Sequence, residues 1–137
     1  MPKKPAKKLS RREVRDLEVE ISFLNGVVRR DPDFVEALQV LGDAYTKRGR
    51  FDAGLEVDQQ LSKLCPDDPM VLYNLACSYA LTKRHEPAAD ALRRAIDAGY
   101  SDFKWMLKDP DLESLRKHSA FDKVLEKIKR AKKIRVK

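Results

Sequence analysis

Laid against itself with a shift of about 34 residues, the length of one stacking helix-pair unit, the chain matches in kind through most of its middle. Leu38 falls on Leu72, Leu41-Gly42 on Leu75-Ala76, Tyr45 on Tyr79 and Arg50 on Arg84. Farther along, Gly54 falls on Ala88 and Pro32 on Pro66, small on small and proline on proline, and Leu61 falls on the apolar Ala95. A unit of this length cannot bury its own apolar face and must stack on its neighbours to share a core. Within each unit the apolar residues stand three and four apart, which is one face of an α-helix. Composition agrees: 137 residues hold only 5 Gly and 7 Pro, too few for the turns of an all-β domain, and Ala, Leu, Glu, Lys and Arg dominate.

The helix limits follow from local chemistry. Ser10 and Glu13 make a capping box, and Val14, Leu17, Ile21, Leu24 and Val28 follow as an apolar stripe. They predict an amphipathic helix of about 20 residues, on the order of 30 Å long, closed by Asp31-Pro32. A second helix is expected from about Phe34 to Lys47, with Val35, Leu38, Leu41 and Tyr45 inward and Arg48-Gly49 as its stop. A third runs from Phe51 to Leu64 and ends at Cys65-Pro66. Gly42 and Ala76 in the first helix of each unit, with Gly54 and Ala88 in the second, let the two helices approach closely.

Residues 35–68 and 69–102 carry L-x2-LG-x2-Y and L-x2-LA-x2-Y in their first helices, and in these motifs the chain resembles the tetratricopeptide-repeat family. The resemblance implies an all-α, antiparallel helix-pair solenoid with a right-handed superhelical twist, in about eight helical segments. Residues 10–32 then form the second helix of a preceding half-repeat and 103–128 a degenerate closing repeat, making one domain over 10–128. Two residues depart from the family pattern. His85 stands where an aromatic is common, and Asp58 where a large apolar residue is usual. Asp58 is either turned out to solvent by a local rotation or a partly buried carboxylate in need of a donor.

After Asp102 the period decays. Phe103, Trp105, Met106 and Leu107 start a short helix that Asp109-Pro110 interrupts, and Asp109 caps a new turn with Leu112 and Leu115 inside. Ser119 is expected to cap a final helix with Phe121, Val124, Leu125 and Ile128 as its stripe, and Trp105 to plug the end of the core. The net charge of +7 is unevenly spread. Lys3, Lys4, Lys7 and Lys8 lie in the first eight residues, and seven basic residues with no acid run from Lys127 to Lys137. The ends thus carry +11 and the body −4. Residues 1–9 are read as a disordered basic tail and 129–137 as a second basic tail, fraying beyond Ala131. No aromatics interleave with these lysines as a base-stacking platform requires.

Little in the chain speaks for catalysis. The two histidines, His85 and His118, stand far apart in the chain and no HxxxH pair exists. No Gly-rich phosphate loop occurs, and Cys65 and Cys77 lack the CxxC spacing of a metal or redox site. The expectation is a non-enzyme without metal or cofactor, its cysteines reduced. No stretch approaches the roughly 18 apolar residues of a membrane span, and a cytoplasmic location is expected.

Binding is more legible, because the first helix of each repeat lines the concave groove with whatever it does not turn inward. In the first repeat these are Glu36, Gln39, Val40, Asp43 and Lys47; in the second, Met70, Tyr73, Asn74, Cys77, Ala80 and Leu81. If the second set faces open groove it suits an extended or helical peptide; otherwise a terminal helix folds across and covers it. The resemblance also implies a comparison with members that clamp a C-terminal carboxylate. Asn74, Lys104 and Lys108 occupy three of the clamp positions, but Gln39 and Asp43 stand where a Lys and an Asn are expected, and an aspartate there repels a carboxylate. The candidate partner-binding residues are therefore Gln39, Asp43, Met70, Tyr73, Asn74, Cys77, Leu81, Lys104 and Lys108. The function expected is a non-catalytic scaffold that holds a protein or peptide partner in its groove. The alternative is a nucleic-acid- or ribosome-associated protein whose basic tails supply weak contacts. Two full repeats are short for such a fold and leave self-association open.

Overall fold

The computed structural model describes residues 8–136, the side chains of 134–136 excepted. Residues 1–7 and Lys137, and with them most of the N-terminal tail, lie outside the described residues. The capping box forms as the sequence requires: Ser10 Oγ accepts from the Glu13 amide and the Glu13 carboxylate from the Ser10 amide, each at 3.1 Å. It opens α1 (Arg11–Arg30), followed by α2 (Val35–Arg48) and α3 (Phe51–Leu64). Asp68 caps α4 (Pro69–Leu81), accepting from the amides of Met70 and Val71, and α5 (His85–Asp97) completes the second pair. The close is irregular: α6 (Phe103–Met106), a 3-10 turn at Pro110–Leu112, α7 (Glu113–Arg116) and α8 (Phe121–Val136). The described chain is all-α, and its helices pair in sequence as an antiparallel solenoid.

The repeat register reappears in the contacts. The Asn25 side-chain amide donates to the Tyr45 phenol at 2.9 Å, and one repeat later the Gln59 amide donates to the Tyr79 phenol at 3.3 Å. Asn25 on α1 therefore does what Gln59 does on α3, which makes α1 the second helix of a preceding half-repeat. The turn inside each pair also repeats: Gly49 has φ 85° and Lys83, its equivalent in the next repeat, has φ 62°. Glycine takes this left-handed conformation without penalty, whereas lysine is strained there by roughly 1–2 kcal/mol.

Two apolar clusters hold the stack together. One joins α1, α2 and α3 through Ile21, Leu24, Leu38, Leu41, Val57 and Leu61, with Val71 reaching in from α4. The other gathers α4, α5 and the closing segment around Leu72, Leu92, Met106, Leu112, Leu115 and Val124, with Leu55 reaching across from α3. Each such side chain is worth roughly 1.5–3 kcal/mol when fully buried. The close approach of helices rests on small residues. A Cβ at Gly54 would lie 3.7 Å from Tyr45 Cβ, and Ala76 and Ala88 are wholly buried at the matching crossing.

Three expectations change at the closing end and in the core. Helix α8 runs on to Val136 instead of fraying after Ala131; Ala131 still packs against the core, and cations in a last turn favour the helix dipole. At the start of α8 the Ala120 amide donates to His118 Nδ1 at 3.0 Å, where Ser119 was expected to provide the cap. Asp58 is not rotated out: it is 8% exposed and accepts a hydrogen bond from Ser78 Oγ. Trp105 packs against the edge of the second cluster.

Candidate functional site

Helices α2 and α4 stand side by side, each the first of its pair, and a cavity of about 240 Å³ opens between them. Gln39, Gly42, Asp43 and Thr46 line it from α2, Met70, Val71 and Asn74 from α4, and Asp58 and Leu61 from α3 behind. Gln39 and Asp43 lie one turn apart, as do Met70 and Asn74, so each helix sends two successive rungs into the space. Gln39, Asp43 and Met70 are exposed and Asn74 half-buried. Four of the nine sequence-predicted residues therefore converge here. Gly42 and Asp58 form part of the floor: a Cβ at Gly42 would sit 3.3 Å from Asp58 Oδ1. The matching pair in the second repeat is Ala76 and Leu92, both fully buried and apolar.

Tyr73 and Cys77 are not on an open groove. They are 3% and 1% exposed, because the closing segment folds back over the second repeat. The Tyr73 phenol donates to Asp109 Oδ2 at 2.6 Å, and the Cys77 thiol makes a long contact of 3.9 Å to the same oxygen. Asp109 is itself buried; its other oxygen accepts from the Asp111 amide, and its backbone carbonyl accepts from Arg116 at 2.7 Å. The Tyr73 ring stacks on Tyr100 at 4.3 Å between centroids. Burial, then the neighbouring Cys77 and the Asp109 hydrogen bond, pushes the Tyr73 phenol far above the usual tyrosine range. Burial likewise pushes Tyr100 up to about 12, against the opposing hydrogen bond to Tyr73. The carboxylate that anchors this cluster lies 36 residues from Tyr73, and sequence reading had given it only a capping role.

The remaining predicted residues lie apart from the cavity. Leu81 is half-buried at the end of α4, and Lys104 and Lys108 are exposed on and just beyond α6. None of the three lines the space between α2 and α4, so of the residues matching a carboxylate clamp only Asn74 lies there. The two histidines do meet: the rings of His85 and His118 stack at 4.3 Å, tying the start of α5 to the α7–α8 turn. Burial, then His118 and Lys83, lowers the His85 pKa below its ordinary value. Among the described residues no helix is long and apolar enough to cross a membrane.

Comparison with known proteins bears on the same elements. Residues 71–98, covering most of α4 and α5, match the tetratricopeptide repeat family. The chain is 36% identical over 103 residues to a chloroplastic protein of Arabidopsis thaliana, an alignment covering 73% of this chain and 29% of that protein. It is 31% identical over 126 residues to the PEX5-related protein of Homo sapiens and 30% to that of Mus musculus, covering 88% of this chain and 20% and 22% of those proteins. The alignments thus span less than a third of each of these relatives. The matched helix pair, the repeat register that generates it and the tyrosine contact repeated from Asn25 to Gln59 all belong to one architecture. The chain carries a tetratricopeptide repeat at residues 71–98, set in the helix-pair architecture of that family.

Proposed function

We propose that this protein is a non-catalytic scaffold that holds an extended segment of a partner protein across the face formed by α2 and α4. The observation that carries the reading is the convergence of Gln39, Asp43, Met70 and Asn74 on one cavity. Two amides offer donors and acceptors to a peptide backbone, and Met70, half exposed, offers an adaptable apolar contact. Val40, exposed on the same helix as Gln39, extends the apolar surface. Tyr73 and Cys77 are packing residues under the closing segment, and Lys104 and Lys108 belong to a different part of the surface. The fold of the family is generally that of a scaffold, which supports the absence of turnover.

The test is capture of partner proteins by the full chain and by a Met70→Glu, Asn74→Ala variant, with thermal unfolding measured on both. Both substitutions lie at the cavity's rim, so the variant is expected to melt within a few degrees of the parent and to lose its partners. Undiminished capture by the variant would refute the groove reading. Binding that survives in the variant but falls steeply with salt, and is lost on deleting residues 129–137, would transfer the function to the basic end of α8.

A further inference from the structure

The cavity between α2 and α4 differs in kind from its counterpart one repeat later. Where the second repeat places Ala76 and Leu92, wholly buried and apolar, the first places Gly42 and Asp58. The leucine shows that this position in the scaffold accepts an apolar side chain. A carboxylate there carries a desolvation cost that packing alone does not require. Ser78 Oγ donates to Asp58 Oδ2 from α4, and the Asp58 side chain lines the cavity with Oδ1 close against Gly42, where a Cβ would come within 3.3 Å of it. Asp43 adds a second carboxylate at the rim, and Gln39, Thr46 and Asn74 supply neutral oxygens that accept hydrogen bonds. Among the described residues that line the cavity there is no lysine or arginine, so its formal charge is −2. Its volume of about 240 Å³ falls below the roughly 300–1,000 Å³ of sites that enclose a whole small molecule. It suits a single side chain.

We infer that this cavity is a specificity pocket for one cationic side chain, arginine or lysine, of the partner segment held across α2 and α4. The inference rests on the groove reading above and adds its chemistry. A guanidinium or ammonium entering between Gln39 and Asn74 meets the Asp43 carboxylate at the mouth and the Asp58 carboxylate at the floor. Both are charge-assisted contacts, and the partly dry floor strengthens them. The same charges reject a carboxylate, the reverse of the preference that a Lys and an Asn at positions 39 and 43 would give.

The experiment is a selection of random peptides displayed on phage against the immobilised full chain, followed by binding isotherms of the selected peptides made synthetically. Each peptide is compared with versions in which arginine is replaced by citrulline and lysine by norleucine, which keep the shape and remove the charge. The expected result is one position at which that replacement weakens binding about tenfold or more, the scale of a lost charge pair in a partly buried site. The penalty should shrink to less than about threefold in Asp58→Asn, an isosteric change that can still accept from Ser78, and in Asp43→Asn. Asp43 is exposed, so its variant keeps the test open should Asp58→Asn fail to fold. If peptides lose binding in the Met70→Glu, Asn74→Ala variant but tolerate every neutral replacement, the cationic pocket is wrong and the groove stands. If they bind that variant unchanged, or no groove-binding peptide is selected, the groove reading fails and the pocket falls with it.

Discussion

Replacing Tyr73 by phenylalanine isolates the bond that shuts the closing segment over the second repeat. The change removes one oxygen, keeps the ring stacked on Tyr100 and leaves the apolar burial of α4 unchanged. What is lost is a 2.6 Å donation to the Asp109 carboxylate. Asp109 is 1% exposed, so water does not readily replace the donor. Hydrogen bonds to charged groups are worth about 1.5–3 kcal/mol, and Asp109 keeps the Asp111 amide and the weak Cys77 contact. A loss near 2 kcal/mol is therefore expected, which at roughly 3–5 °C per kcal/mol for a chain of this length lowers Tm by about 6–10 °C. Urea unfolding followed by Trp105 fluorescence measures it, with an unchanged slope showing that the two end states are the same. Asp109→Asn in the same background completes a double-mutant cycle, in which a coupling of at least about 1 kcal/mol is expected between residues in direct contact. A Tyr73→Phe change below about 0.5 kcal/mol, or a coupling near zero, would refute the reasoning that this pair latches the closing segment.

The other predictions concern the same joints. Tyr73 and Tyr100 resist ionisation in the folded state, Tyr100 up to about 12; stability should be full below pH 10, the unfolded value, and fall between pH 10 and 12 by up to about 1.4 kcal/mol per pH unit for each phenol. Tyr73→Phe should roughly halve that slope, and an unaltered slope in urea titrations would contradict the assignment. His85 has a lowered pKa, so its proton binds more readily to the unfolded chain; stability should be full near pH 7.5 and decline as pH falls through about 6.5. That decline should be smaller in His85→Gln, and equal acid profiles would show the stacked pair to be irrelevant. Lys83→Gly should raise stability by about 1 kcal/mol by relieving the left-handed strain at φ 62°, read as a higher urea midpoint; a fall in midpoint would place other constraints on that turn.

How much of this was legible in the sequence varied with the range of the interaction. The helix pairs and the place of α1 were legible because they rest on local signals: caps, stops and a three-and-four spacing that recurs once per helix pair. That Gln39, Asp43, Met70 and Asn74 line one cavity followed from the same periodicity, since a helix face is fixed by spacing alone. Asp109 was not, for its importance comes from Tyr73 on another element, and no pattern in a short irregular segment announces such a partner. His85 and His118, far apart in the chain, carried no spacing signal for the stack they form.

The sequence by itself determined the architecture, because a repeating pattern of large and small residues admits one way of stacking. Tertiary structure decided which residues of the repeat faces remain available. Tyr73 and Cys77 sit on a face that the period marks as groove, yet the non-repeating segment after Asp102 returns to cover it and satisfies the phenol with Asp109. Asp58 occupies a core position by period, yet whether a carboxylate stays there depends on a donor 20 residues away, and Ser78 provides it. Both outcomes hang on long-range polar pairing, where burial is decided by whether a partner arrives and not by the residue's place in the repeat.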